Sequence, residues 1–114
     1  MAGREPVLNL TVKEETHRVR LVVEGDIDLV TAAEFRRVLA DTAARHERLV
    51  LDLTGVVFIG SVGISALYRH ADRLAAVLVA PGSLIARALS IAGFSMLIQP
   101  TVVGEPRSRR PPPA

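Results

Sequence analysis

The stretch that decides the fold is residues 51–64, which read LDLTGVVFIGSVGI. Its first half belongs to an apolar run, Leu49–Leu53, that only Asp52 interrupts, and such a run predicts a strand covered on both faces. Thr54-Gly55 predicts a turn, after which Val56–Ile59 returns to the interior. Residues 60–63 then lead into a helix, because apolar residues recur at helical spacing from Ile64 to Ala71.

Upstream of this stretch, two short segments alternate between apolar and other residues. Residues 8–12 and residues 19–23 both show this period of two, which is typical of half-buried strands. A short polar connection at residues 13–16 joins them, so we predict an antiparallel hairpin.

The next segment predicts a helix from about Leu29 to His46. Thr31 and Glu34 have the spacing of a capping box, in which the hydroxyl and the carboxylate bond backbone amides reciprocally. Asp28 is a rival N-terminal cap for the same helix.

Downstream, residues 74–80 predict another buried strand, and Ser83 is a suitable cap for a third helix. The apolar face of this helix is wide, and Gly93 has the position of a C-terminal cap. Residues 94–99 predict a last short strand.

The predicted order is therefore β-β-α-β-α-β-α-β. Strands that alternate with helices predict a single α/β domain: a mixed, mostly parallel sheet of about five strands with helices packed against it. We expect the domain to span residues 7–103, after a flexible N-terminus at residues 1–6. A disordered Pro/Arg tail is expected at residues 104–114, which read GEPRSRRPPPA.

Composition excludes several function classes. The chain has no cysteine, which rules out disulfides, thiolate metal sites and thiol catalysis and is compatible with a cytoplasmic protein. The tail arginines account for the net charge of +2, so the folded part carries no basic surplus that would favour nucleic-acid binding. No apolar run is long enough to predict a membrane span, and no phosphate-binding loop motif is present, so we expect no cofactor.

Ser61 is the main candidate functional residue, because it lies at the predicted strand-to-helix junction. One interpretation is that its hydroxyl caps the helix. The other is that it is a phosphorylation switch, since the amides and dipole of a helix N-terminus favour an anion. Position alone leaves both interpretations open.

Two other chemistries have weaker support. A hydrolase nucleophile elbow needs glycine two residues before the serine, and Ile59 stands there. The three histidines, His17, His46 and His70, do not have the spacing of metal ligands. An acidic group at residues 24–28 is compatible with a cation, but a turn and helix cap is the preferred explanation.

Two segments together resemble the STAS domain family, which includes bacterial anti-sigma factor antagonists. Residues 23–32, VEGDIDLVTA, resemble that family's strand-to-helix segment, and residues 51–64 resemble its central signature. Residues 78–81 and 89–94 match a later strand and helix, so the resemblance runs from about residue 8 to residue 103.

The resemblance implies a binding module rather than an enzyme. Family members of this type bind an anti-sigma factor that is also a serine kinase; phosphorylation of the antagonist breaks the complex, and a serine phosphatase resets it. Ser61 matches the phosphorylated serine, and Asp28 matches an acidic position near the same surface. We therefore expect partner contacts at Asp28, Gly60, Ser61, Val62 and Gly63, without direct contact to nucleic acid or membrane.

The chain departs from the family pattern in three respects. Gly60 replaces the usual aspartate before the serine, and Val62 replaces the usual second serine. The connection between the second helix and the fourth strand is short, and the final family helix is not predicted. Apolar surface left uncovered there would favour a homodimer. The glycine also leaves an alternative function open: a constitutive STAS scaffold subunit of a signalling or lipid-transport complex without a phospho-switch.

Overall fold

The computed structural model describes residues 7–94 and 98–103. The elements in chain order are β1 (Leu8–Glu15), β2 (Arg18–Ile27), α1 (Ala32–Arg45), β3 (Leu49–Ile59), α2 (Ser61–Arg69), a short 3-10 helix (Ala71–Arg73), β4 (Leu74–Val79), α3 (Leu84–Ile91) and β5 (Thr101–Val102). This order confirms the predicted one. The expected flexible N-terminus, residues 1–6, and the expected disordered tail, residues 104–114, lie outside the described residues.

The five strands form one sheet in the order β1-β2-β3-β4-β5. β1 and β2 are antiparallel, which confirms the hairpin, and the remaining neighbours are parallel. Each parallel connection moves one strand further in the same direction. Because such crossovers are right-handed, α1, α2 and α3 come to lie on one face of the sheet.

An aliphatic core fills the space between this sheet face and the helices. The buried side chains include Leu21, Phe35, Leu51, Leu67 and Leu89, which belong to one continuous cluster. They come from β2, α1, β3, α2 and α3 in turn. Burial of each such side chain contributes roughly 1.5–3 kcal/mol, so the helices are held mainly by apolar contact with the sheet.

The first half of β3 is buried on both faces, as predicted, and Asp52 is accommodated by hydrogen bonds. Its Oδ1 accepts from the Thr54 amide at 3.0 Å and from the Thr54 hydroxyl at 2.7 Å. Its Oδ2 accepts from Arg20 Nη1 at 3.3 Å on the sheet face opposite the helices. Both carboxylate oxygens of this buried side chain therefore have hydrogen-bond partners, which offsets the cost of burying the charge.

The predicted turn at Thr54-Gly55 is wrong, because β3 continues to Ile59. The chain instead makes a bulge: Val22 pairs with Asp52 and Glu24 with Gly55, so β3 contains one more residue than β2 between the two pairs. The return of residues 56–59 to the interior is only partly confirmed. Val57 and Phe58 are exposed, and β4 pairs only with Leu49–Asp52.

Two predictions about α1 and the chain's last strand also need correction. Thr31 does not form the predicted capping box; its hydroxyl donates to the Asp26 carbonyl at 2.7 Å instead. The last described strand is Thr101–Val102. Of the strand predicted at residues 94–99, Phe94 is instead buried and packs edge-on against Tyr68, and residues 95–97 lie outside the described residues.

The N-terminal cap of α3 is confirmed, but its C-terminal cap position belongs to Ala92, and its apolar face is narrower than predicted. The Ser83 hydroxyl accepts from the Ala86 amide at 3.1 Å, and Gly93 has a φ of +82° just after the helix. Ile85 and Leu89 are buried, whereas Leu84 and Ile91 are exposed. Whether a dimer uses this exposed surface stays a prediction.

Among the described residues, the helices are too short or too polar to cross a bilayer.

Gly63 allows α2 to approach the ends of β2 and β3. A Cβ at this position would lie 2.6 Å from Ile27 Cγ2 and 2.8 Å from Ile59 Cγ1. We expect Gly63→Ala to lose on the order of 1 kcal/mol of unfolding free energy, because overpacking outweighs the gain in helix propensity. Urea denaturation measures this change in unfolding free energy. Ser65→Ala, at an exposed site in the same helix, is the control, and a Gly63→Ala protein as stable as this control would contradict the close packing.

Acid should weaken the β1–β2 hairpin through Glu15. Hydrogen bonds from Arg18 and Arg20 hold the pKa of Glu15 below its usual 4.5. The folded state therefore binds fewer protons than the unfolded state in this range. The stabilisation is present above pH 4.5 and is lost as the pH falls through the folded-state pKa. Glu15→Gln should therefore reduce the fall of the melting temperature below pH 4.5. Glu47→Gln is the control and should behave like the wild type. The same pH profile of melting temperature in Glu15→Gln and the wild type would contradict a role for Glu15.

Candidate functional site

The candidate site lies where β2 and β3 end. The two strands are parallel and Ile27 pairs with Ile59, so both chains leave the sheet at the same edge. The Gly60 amide donates to the Ile27 carbonyl at 2.8 Å, which ties the two exits together. The turn that follows β2, residues 28–31, therefore lies beside residues 60–62. Asp28 and Ser61 belong to one surface, although 32 residues separate them in sequence.

Ser61 is the first residue of α2 and does not cap it. The capping position belongs to Gly60, whose backbone is extended (φ −91°, ψ 179°) and which has no side chain to accept a bond. Ser61 is exposed, and its hydroxyl makes no hydrogen bond to another described residue. The capping interpretation is therefore wrong, and the hydroxyl is free for contact with a partner or for modification.

Asp28 organises the turn at which α1 begins. Its Oδ1 accepts from the Val30 amide at 2.9 Å and from the Thr31 amide at 3.2 Å, and its carbonyl accepts from the Ala32 amide at 2.8 Å. These bonds satisfy amides just ahead of the helix, as a capping residue does. Asp28 is half-buried, so it is both a structural residue and part of the surface.

An apolar groove lies on one flank of Ser61. It encloses about 430 Å³ and is lined by Asp28, Leu29, Val30, Phe58, Gly60, Ser61 and Val62. Leu29, Val30 and Phe58 are 83%, 74% and 51% exposed. Exposed apolar side chains that are grouped in this way are typical of an interaction site, whereas single exposed apolar residues are common on any surface.

A smaller depression lies on the other flank of Ser61, towards α1. It encloses about 190 Å³, and its lining comprises Arg36, Ser61, Val62, Ser65, Ala66 and Arg69. Ser61 and Val62 thus border both hollows. One flank is apolar and the other carries two guanidinium groups.

The two glycines of the predicted site differ in what they do. Gly63 is buried against Ile27 and Ile59, so it positions α2 rather than facing solvent. Gly60 has an ordinary extended backbone, and a Cβ there would make only ordinary contacts, the nearest at 3.5 Å from the Phe58 ring. The fold does not require glycine at position 60.

No described histidine lies near Ser61, which removes the geometric basis for a hydrolase. His17 lies in the β1–β2 turn and His46 ends α1, both at the opposite edge of the sheet. His70 ends α2, about 13 Å from Ser61 at 1.5 Å per helical residue. Within residues 7–94 and 98–103, no group of three potential ligands could hold a metal ion, and this includes the acidic residues of 24–28.

A model of the STAS domain matches residues 9–104 of this sequence. The chain belongs to the STAS domain family. This STAS domain is similar to the anti-sigma-F factor antagonist RsfB of Mycobacterium tuberculosis, with 31% identity over 92 residues that cover 76% of the chain and 75% of that protein.

Solved structures show the same fold. This STAS domain is similar to an anti-sigma factor antagonist from Mycobacterium paratuberculosis, with a TM-score of 0.73, 23% identity and coverage of 88% of both chains. It is also similar to the unphosphorylated form of the anti-sigma factor antagonist SpoIIAA, with a TM-score of 0.65, 11% identity and coverage of 85% of this chain and 90% of that one.

Sequence reasoning missed seven residues that line the groove or the depression: Leu29, Val30, Phe58, Arg36, Ser65, Ala66 and Arg69. Leu29 and Val30 were assigned to the predicted helix and Phe58 to the interior. Two consecutive apolar residues between a strand and a capped helix were the available signal for the first pair. Arg36 and Arg69 had no local signal, because only the packing of α1 beside α2 brings them to Ser61.

Two serines at the start of helices allow a matched test of the capping assignment. Ser61→Ala should change the free energy of unfolding by less than about 0.5 kcal/mol, because no hydrogen bond is lost. Ser83→Ala should cost about 1 kcal/mol, because the bond to the Ala86 amide disappears. Denaturation curves of both variants measure the difference, and equal losses would show that Ser61 is a cap after all.

Proposed function

We propose that this STAS domain is an anti-sigma factor antagonist that regulates sigma-factor-dependent transcription by binding an anti-sigma factor. The docking surface in this proposal comprises the apolar groove and the start of α2, with Asp28, Gly60, Ser61 and Val62 at its centre and Gly63 beneath it. The partner is a serine kinase that phosphorylates Ser61, and a serine phosphatase restores binding. The partner supplies the ATP chemistry, and the STAS domain itself is not an enzyme.

One observation carries the proposal: the exposed Ser61 hydroxyl, free of hydrogen bonds to other described residues, borders an exposed apolar groove. A kinase needs an accessible hydroxyl that is not committed to the fold. A docking partner needs apolar surface to bury. Both requirements meet at one residue, and the similarity to named anti-sigma factor antagonists supports this class of partner.

Phosphorylation would oppose binding through charge and desolvation. A phosphoserine carries about −1.5 to −2 charges at neutral pH. A partner docked over Ser61 would have to remove water from this charged group, and this desolvation opposes binding. A penalty of about 2.7 kcal/mol reduces affinity roughly a hundredfold, so a modest effect suffices for a switch.

A second function is favoured by Gly60. Since a Cβ at position 60 would make only ordinary contacts, packing does not account for the absence of an acidic residue there. In the alternative, the domain is a constitutive scaffold subunit that binds through the same groove and is never phosphorylated at Ser61. The two functions differ in what happens when the partner is supplied with ATP.

The switch is tested by mixing the protein with the anti-sigma factor kinase of its own organism and ATP. We expect phosphate on Ser61 by mass spectrometry and none on Ser61→Ala. Stable binding with no phosphate on Ser61 would overturn the switch and support the scaffold function.

Binding gives a second measurement. Ser61→Asp should weaken the complex by roughly tenfold or more, about 1.4 kcal/mol, in isothermal titration calorimetry. Thr16→Asp, in the β1–β2 turn at the opposite edge of the sheet, adds the same charge and should bind like the wild type. Equal affinities for Ser61→Asp and Thr16→Asp would show that the partner does not dock at Ser61.

A further inference from the structure

The depression beside Ser61 is built from two helices. Ser61, Ser65 and Arg69 are spaced four residues apart, so they follow one face of α2. Arg36 reaches the same hollow from α1, which packs against α2. Long side chains on a helix lean towards its N-terminus, which directs Arg69 back along α2 towards Ser61.

The charge of this depression is not balanced locally. Two arginines and two serines line it, and none of its lining residues is acidic. Neither Arg36 nor Arg69 forms an ion pair with another described residue, in contrast to Arg20, which is shared between Glu15 and Asp52. The depression therefore offers guanidinium donors and hydroxyls to an anion that arrives at its rim.

We propose that the depression is an intramolecular receptor for the phosphate of phosphorylated Ser61, with Arg36 and Arg69 as its cationic ligands. The proposal rests on the proposed function for the presence of that phosphate. Guanidinium groups match phosphate oxygens in geometry and bind them with charge-assisted hydrogen bonds. The Ser65 hydroxyl, one helical turn after Ser61, is a further donor on the same face.

Such a receptor changes how phosphorylation acts on a partner. Ser61 borders both hollows, so its phosphate can turn either into the apolar groove or into the basic depression. The arginines favour the depression. In the phosphorylated protein the apolar groove then stays open, whereas the phosphate fills the depression on α2 and neutralises its arginines. The partner is released because it loses its contacts to this face of α2, and no phosphate has to enter the groove.

The test uses the full chain with phosphoserine installed at position 61 by genetic encoding. Phosphorus NMR then follows the second ionisation of the phosphate against pH. Neighbouring cations favour the dianion, so we expect the phosphate pKa in the wild type to lie about 0.5 unit below that in the double variant Arg36→Gln/Arg69→Gln. The single variants Arg36→Gln and Arg37→Gln are measured beside it as a matched pair: each removes one charge from an exposed position of α1, and only position 36 lines the depression. Arg37→Gln should titrate like the wild type.

The same phosphate pKa in the wild type and the double variant would overturn the receptor, and so would an equal shift in Arg36→Gln and Arg37→Gln. If the double variant fails to fold, as judged by circular dichroism, the single variants Arg36→Gln and Arg69→Gln replace it. Thermal unfolding gives a second readout: phosphorylation should raise the melting temperature of the wild type more than that of the arginine variants. Because phosphoserine is incorporated during translation, the test of the receptor does not depend on whether a kinase phosphorylates Ser61. Phosphorylation by a kinase together with an unshifted phosphate pKa would reject the receptor alone.

Discussion

The parallel pairing of β2 with β3 is the constraint on which the rest of the structure depends. Its register places Ile27 beside Ile59, and the Gly60 amide closes the pair with a hydrogen bond to the Ile27 carbonyl. Two helices therefore begin side by side at one edge of the sheet. A shift of one residue would turn the buried side chains of β2 to the opposite face, so the register is as strongly determined as the core itself.

Close packing at Gly63 shapes the candidate surface around Ser61. With no side chain at that position, α2 begins directly against the strand ends, and Ser61 becomes its first residue. Gly60 takes the capping position but has no side chain that could form a cap bond, and the Ser61 hydroxyl is not bonded to another described residue. On one side of the hydroxyl lies surface that is suited to apolar contact, and on the other lies surface that is suited to an anion. A charge added at this oxygen therefore lies next to both surfaces.

Much of the fold could be predicted from sequence because its patterns are local. Period-two alternation identified the hairpin, and helical spacing identified the three helices. The errors came where tertiary contacts overrode a local signal. Thr54-Gly55 has the composition of a turn, but pairing with β2 on one side keeps the chain extended and reduces the turn to a bulge. Thr31 has the spacing of a capping box, but the Asp26 carbonyl takes its hydroxyl. Phe94 reads as a strand residue, but the core and the Tyr68 ring hold it elsewhere.

The sequence by itself determined the order of strands and helices, the family, and the choice of Ser61 as candidate residue, since each follows from residue types at fixed spacing along the chain. It left the role of that serine open between a cap and an uncommitted hydroxyl, because the difference is a hydrogen bond rather than a pattern. Tertiary structure decided that point. It also assembled the surface around the serine, since Leu29, Phe58, Arg36 and Arg69 lie on separate elements and meet only when parallel strands end together and α1 packs beside α2.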